Sequence, residues 1–109
     1  MKCGICILGE LAALAEARKT ADPARSYTAR LLRGDEDALL KKLAEEAGEA
    51  ALAAKGGSRE KLAEEIADLA FHCIVVMARY NVSLEEVAAA LRARRGGSGL
   101  AEKSARREE

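Results

Sequence analysis

Apolar residues recur every three or four positions along most of this chain, the spacing of helices with one buried face. Leu8, Leu11, Ala12 and Ala15, with Leu14 beside them, predict a first helix over residues 8–18. Asp22-Pro23 breaks the pattern, because a proline disfavours helical geometry at the residue before it. A short helix over 28–33 should stop at Gly34, and Asp35 can cap a long helix to about residue 54. Its apolar side reads as Leu39, Leu40, Leu43, Ala47, Ala50, Ala51 and Ala54, which turns Glu45, Glu46 and Glu49 away from it. Lys55-Gly56-Gly57-Ser58 is a turn, with Gly56 as helix stop and Ser58 as the next cap. The following helix, 59–79, carries a stripe of Leu62, Ile66, Leu69, Cys73 and Val76, with Glu65, Asp68 and His72 alongside. So short a connection predicts an antiparallel hairpin of the two long helices. Ser83-Leu84-Glu85-Glu86 has capping-box spacing and leads a last helix to about residue 94.

Composition sharpens this to an all-α protein. The 109 residues hold one proline and only Tyr27, Phe71 and Tyr80 as aromatics, and much of the apolar half is alanine. Alanine-rich helices bury little area each, so association into a homodimer or dimer of dimers is expected. From Leu69 to Ala78 the chain is apolar nearly all round, His72 excepted, which also predicts a covered second face. Residues 1–95 read as one domain and 96–109 as a disordered tail.

Charge excludes several function classes. Eighteen basic residues balance eighteen acidic ones, so no bulk attraction to nucleic acid or an anionic membrane is expected. No apolar run approaches a membrane span, and residues 1–9 make a poor signal peptide, so the expected compartment is the cytoplasm. The three cysteines are an odd number for a disulfide framework. Cys3 and Cys6 form a C-x-x-C without a second pair to complete a zinc site, and Cys73 reads as a small core residue.

The candidate chemistry lies in two acidic clusters, Glu45-Glu46-Ala47-Gly48-Glu49 and Glu65-Ile66-Ala67-Asp68. Glu46 with Glu49, and Glu65 with Asp68, share helix faces, and a hairpin can bring the pairs together into an oxygen-rich site for Mg²⁺. Lys41 and Lys42 stand four residues before Glu45 and Glu46, so the first cluster also reads as an ordinary solvated face. Asp68, at the edge of the apolar run, would need a partner, a proton or a metal if buried. His72 reads equally as a satisfied core histidine or a substrate contact. The polar loop Arg18, Lys19, Asp22, Arg25, Ser26, Tyr27, Thr28 and Arg30 reads as a solvated connector or as a loop that contacts phosphate.

The spacing E-E-x-x-E, fifteen residues, E-x-x-D resembles the metal signature of the all-α nucleoside triphosphate pyrophosphohydrolases of the MazG type. Arg18-Lys19, Asp22-Pro23, Ser26-Tyr27-Thr28-x-x-Leu31-Leu32, Lys42-Leu43-Ala44-Glu45-Glu46 and Glu65-Ile66-Ala67-Asp68-Leu69-x-x-His72 add to it. With Val82-Ser83-Leu84-Glu85-Glu86-Val87, the series resembles the phosphoribosyl-ATP pyrophosphohydrolase family of histidine biosynthesis over residues 8–95. The resemblance implies a homo-oligomeric, MazG-like helical enzyme that hydrolyses phosphoribosyl-ATP to phosphoribosyl-AMP and pyrophosphate with Mg²⁺. By position it implies Glu46, Glu49, Glu65 and Asp68 as metal ligands. Glu45 and Glu46 take catalytic roles, with Glu45 as water-orienting group, base or added ligand. Lys19, Tyr27, Thr28, Lys42, Lys55 and His72 are implied substrate contacts. Gly48 and Phe71 depart from the family pattern without removing a carboxylate, and residues 1–7 match none of it. Two alternatives stand beside this reading: a pyrophosphohydrolase of non-standard nucleoside triphosphates, and a non-enzymatic helical oligomerisation module.

Overall fold

The computed structural model describes residues 3–96. The expected tail, 96–109, lies outside the described residues apart from Gly96. The described chain is all-α: α1 Cys6–Arg18, α2 Tyr27–Arg33, α3 Glu36–Gly56, α4 Arg59–Arg79 and α5 Leu84–Arg95. The helix starts follow local chemistry. Ser26, Asp35, Ser58 and Ser83 each accept a backbone N–H of the first turn that follows them, and Ser83 with Glu86 completes the expected capping box. In the loop before α2, Asp22 accepts the Ala24 N–H while its carbonyl accepts from Arg25 and Ser26, and Arg30 reaches back to the Pro23 carbonyl. Much of that loop's polarity is therefore used to turn the chain.

Two glycines are needed where they stand. Gly57, with φ of 83°, ends α3 in the left-handed region that side chains avoid. It takes the stop position expected of Gly56, which forms the last residue of the helix instead. At Gly34 a Cβ would meet the Arg30 carbonyl oxygen at 2.6 Å, so the tight exit from α2 excludes a side chain. One earlier expectation moves at the other end: α1 starts at Cys6, two residues before Leu8.

α4 is the axis of the fold. It runs back along α3 through the Gly57-Ser58 turn and also packs on α1 and α2. The core is small: Ala15 from α1, Leu32 from α2, Leu39 from α3, and Ile74, Val75 and Ala78 from α4, with Leu8, Leu11, Ala12, Leu31, Phe71 and Val76 packed around them. α5 buries none of its residues fully. Arg79 ties α4 to α2 by donating to the Leu31 carbonyl at 3.0 Å. Among the described residues, no helix is long and apolar enough to cross a membrane.

The inward faces of α3 and α4 differ from those expected. α3 buries Leu39, Glu46, Ala50 and Ala53, while Ala47, Ala51 and Ala54 face out. Leu39, Glu46 and Ala53 are seven residues apart, about two turns, and so lie on one line. α4 buries Glu65 and His72, again seven apart, followed by Ile74, Val75 and Ala78. The stripe expected to be inside is left at the edge: Ile66 is exposed, and Leu62, Leu69, Cys73 and Val76 are half-buried.

Candidate active site

Because Glu46 and Glu65 sit on those inward lines, the hairpin presses them against each other. One carboxylate oxygen from each of Glu46, Glu49 and Glu65 lies within 4.8 Å of the others. Glu46 is 4% exposed and Glu65 8%, whereas Glu49 is open to solvent. This corrects the expectation that Glu46 turns away from the packed side. The expectation counted Ala47 and Ala51 as inward-facing, but a methyl group is too small to decide which way a helix faces.

Each buried glutamate is half satisfied. Lys42 Nζ lies 3.1 Å from Glu46 Oε1, and Lys61 Nζ lies 3.3 Å from Glu65 Oε1. The second oxygens, Glu46 Oε2 and Glu65 Oε2, are buried with no hydrogen-bond partner. A buried carboxylate oxygen without a donor is costly, by about 1–3 kcal/mol or more for a charged group. Two such atoms on neighbouring glutamates leave negative charge unmet inside the hairpin. The charge of Glu46, then the close approach of Glu65, pushes the Glu49 carboxyl above the usual carboxylate range. The Glu46 carboxylate in turn raises the Lys42 ammonium, which therefore keeps its charge there.

Asp68 does not join this group. Three residues beyond Glu65, it falls to the outside of α4 and is exposed. It thus escapes the burial that would have forced a partner on it. Its backbone carbonyl does accept the His72 Nδ1–H at 2.8 Å. That bond places a proton on Nδ1, and Nε2 lies 3.5 Å from the Tyr27 hydroxyl. His72 is buried with both ring nitrogens engaged inside the chain, in the manner of a core histidine. Phe71 meets the His72 ring edge-on at 5.1 Å and stacks with Tyr27 at 6.4 Å, so this aromatic trio ties α2 to α4.

Around the carboxylates lie two openings. A cavity of about 460 Å³ is lined by Glu49, Leu52, Ala53, Gly56, Ser58, Lys61 and Glu65. A second, of about 250 Å³, runs past Tyr27, Arg30, Gly34, Asp35 and Lys42. Lys42 lines the second and grips Glu46, so it links opening and cluster. Glu45 is exposed close enough to add to the field at Lys42. Thr28 is half-buried in the first turn of α2, and Lys55 is exposed in the last turn of α3. Lys19 lies elsewhere, bonded to Glu16 at 3.0 Å and to Asn81 at 2.9 Å beyond the far end of α4. From Glu65 to Arg79, the last residue of α4, is about 21 Å of helix rise. The sequence offers one signal for Lys61: its spacing four residues before Glu65 repeats that of Lys42 before Glu46.

Comparison with known proteins identifies the family. Residues 8–95 match the model of the family described as phosphoribosyl-ATP pyrophosphohydrolase. A protein of Nitrosomonas eutropha named phosphoribosyl-ATP pyrophosphatase is 49% identical over 100 residues, covering 92% of this chain and 86% of its own. Those of Nitrosospira multiformis and Cereibacter sphaeroides, with the same name, are each 48% identical, and the latter is matched over 97% of its length. An acidic hairpin of this kind, with a match that spans nearly every described residue, makes the chain a member of the phosphoribosyl-ATP pyrophosphohydrolase family.

Proposed function

We propose that this chain hydrolyses phosphoribosyl-ATP to phosphoribosyl-AMP and pyrophosphate, using Mg²⁺ held by Glu46, Glu49 and Glu65; Asp68, outside that cluster and exposed one turn along α4, would become a further ligand only by turning toward the ion. The observation that carries the proposal is the pair of partnerless buried oxygens on Glu46 and Glu65, in a chain of this family. A hard, oxygen-only donor set with unmet charge suits Mg²⁺, which keeps positions open for phosphate and water. When bound, the ion would neutralise phosphate oxygens and lower the pKa of water.

The chain's own groups do the rest. Glu49, open to solvent, takes the rim of the site, and Glu45 orients or deprotonates the attacking water. Lys42 and Lys61, each able to leave its glutamate once another cation satisfies it, add positive charge beside the triphosphate. Tyr27 lines the approach from the second opening, and Thr28 follows it in the first turn of α2. Lys19 is a substrate contact only if a neighbouring subunit's site comes to it, whereas Lys55 adjoins Gly56, which lines the first cavity.

That condition fits a homodimer or dimer of dimers of MazG-like hairpins. Leu52 is 74% exposed and Ile66 49%, beside the half-buried Leu62, Leu69 and Cys73. Leu52 also lines the cavity next to Glu49 and Glu65, so a partner covering it would wall the site. Sedimentation equilibrium should give a dimer or tetramer mass.

The deciding assay is Mg²⁺-dependent pyrophosphate release from phosphoribosyl-ATP, run beside deoxynucleoside triphosphates and repeated with Glu65→Gln. Release from phosphoribosyl-ATP that is lost in the variant is the expected result. A preference for the deoxynucleoside triphosphates would instead support the non-standard nucleotide reading, and no release from either would leave a helical assembly module.

A further inference from the structure

The Cys3–Cys6 pair takes no part in the carboxylate chemistry, yet its geometry is that of a working unit. We propose that Cys3 and Cys6 form a reversible dithiol–disulfide couple at the entrance to α1, with Cys3 as the attacking thiolate and Cys6 as the resolving thiol.

The backbone brings the two together. The Cys6 N–H donates to the Cys3 carbonyl at 3.2 Å, closing a four-residue turn. A turn of this kind holds its end Cα atoms within about 7 Å, and a disulfide spans about 4.4–6.8 Å. Both cysteines are exposed, so a small oxidant can reach either. Their roles differ because of where the helix begins. α1 starts at Cys6, no side chain caps Ile5, and the first turn holds no acidic residue. The positive end of the helix is therefore available to an anion placed just before it. Cys3 occupies that place. Interaction with the Cys6 thiol and with the Ile5 and Cys6 N–H groups lowers the Cys3 thiol below its usual range, and the same contact raises Cys6.

The oxidant is a low-molecular-weight disulfide. The Cys3 thiolate attacks one of its sulfurs, forming a mixed disulfide and releasing one thiolate. Cys6 then gives up its proton and attacks the Cys3 sulfur, releasing the second thiolate and closing the Cys3–Cys6 bond. Two electrons pass from the pair to the oxidant, and two small thiols result. A loop this short gains little from loop closure, so the bond is one that opens again rather than a structural staple. Cys73 supplies an internal comparison, because it is half-buried on α4 and burial pushes its thiol up.

The test equilibrates the full chain with reduced and oxidised glutathione over a range of ratios, then quenches with acid, alkylates and weighs the products. Expected is joint loss of alkylation at Cys3 and Cys6, in a species lighter by two hydrogens, while Cys73 stays alkylated. Cys6→Ser should trap the glutathione adduct on Cys3, and Cys3→Ser should acquire an adduct on Cys6 more slowly. A lasting adduct on Cys3 in the parent chain, a disulfide between two chains, or oxidation of Cys73 ahead of the pair would overturn the proposal.

Discussion

Glu65→Gln keeps the shape of the side chain and removes one charge from the acidic cluster, so its effect separates repulsion from packing. Glu46 and Glu65 are both buried, with ligand oxygens within 4.8 Å. At an effective dielectric of about 20, unit charges at that distance repel by about 3.5 kcal/mol. Loss of the Lys61 pair offsets this weakly, since that lysine is 60% exposed and exposed pairs contribute about 0–1 kcal/mol. Screening by both lysines leaves a net gain of about 1–2 kcal/mol for the metal-free variant, or about 5–15 °C in Tm for a domain of this size. Mg²⁺ should act in the opposite sense. At a hundredfold excess over its Kd it would stabilise the parent chain by about 2.7 kcal/mol, and the variant should lose most of that shift. Circular dichroism suits the measurement, because the chain is helical and lacks tryptophan. A variant that melts below the parent without Mg²⁺, or that keeps the parent's full Mg²⁺ shift, would refute the picture of carboxylates forced together for a cation.

Three further outcomes follow from particular residues. Asp68→Asn alters an exposed position, so the metal-free Tm should stay within about 3 °C, while pyrophosphate release falls at least about tenfold; unchanged release would remove Asp68 from the ligand set. The raised Glu49 carboxyl favours the protonated site, so stability it contributes is present at low pH and lost as pH climbs through its upshifted range. Metal-free Tm should therefore decline just above the ordinary carboxylate range while the Mg²⁺ shift grows, and a pH-independent Mg²⁺ shift would contradict this. Leu39→Ala opens a cavity at a residue only 1% exposed and should cost about 2–5 kcal/mol in chemical denaturation.

Helix positions were legible because caps and breakers are local. Ser58, Ser83, Asp35 and Gly34 act within a turn of themselves, and the α4 boundaries came out as expected. Facing was harder to read, for two physical reasons. Alanine dominates α3, and its methyl group fits a packed or an exposed position equally, so the apolar count there carried little direction. In α4 the larger apolar stripe sits at the edge of the single chain, while Glu65 and His72 take the inner line. A helix wheel assumes that charge faces water, and a site that buries charge inverts that rule. The carboxylate spacing nonetheless singled out Glu46, Glu49 and Glu65, which the hairpin brings together, along with Asp68, which it does not. Lys61 escaped notice since an i,i+4 Lys–Glu pair looks like any surface pair until its glutamate is found inside.

The two lysines one turn ahead of Glu46 and Glu65 carry a last implication. Each offsets the charge of the glutamate on its own helix, which lessens the repulsion between the two facing helices. Such a protein can assemble its finished helical architecture in a medium stripped of divalent ions, then exchange occupants without refolding. Chelators should accordingly silence it and restored magnesium revive it, with the helices intact throughout.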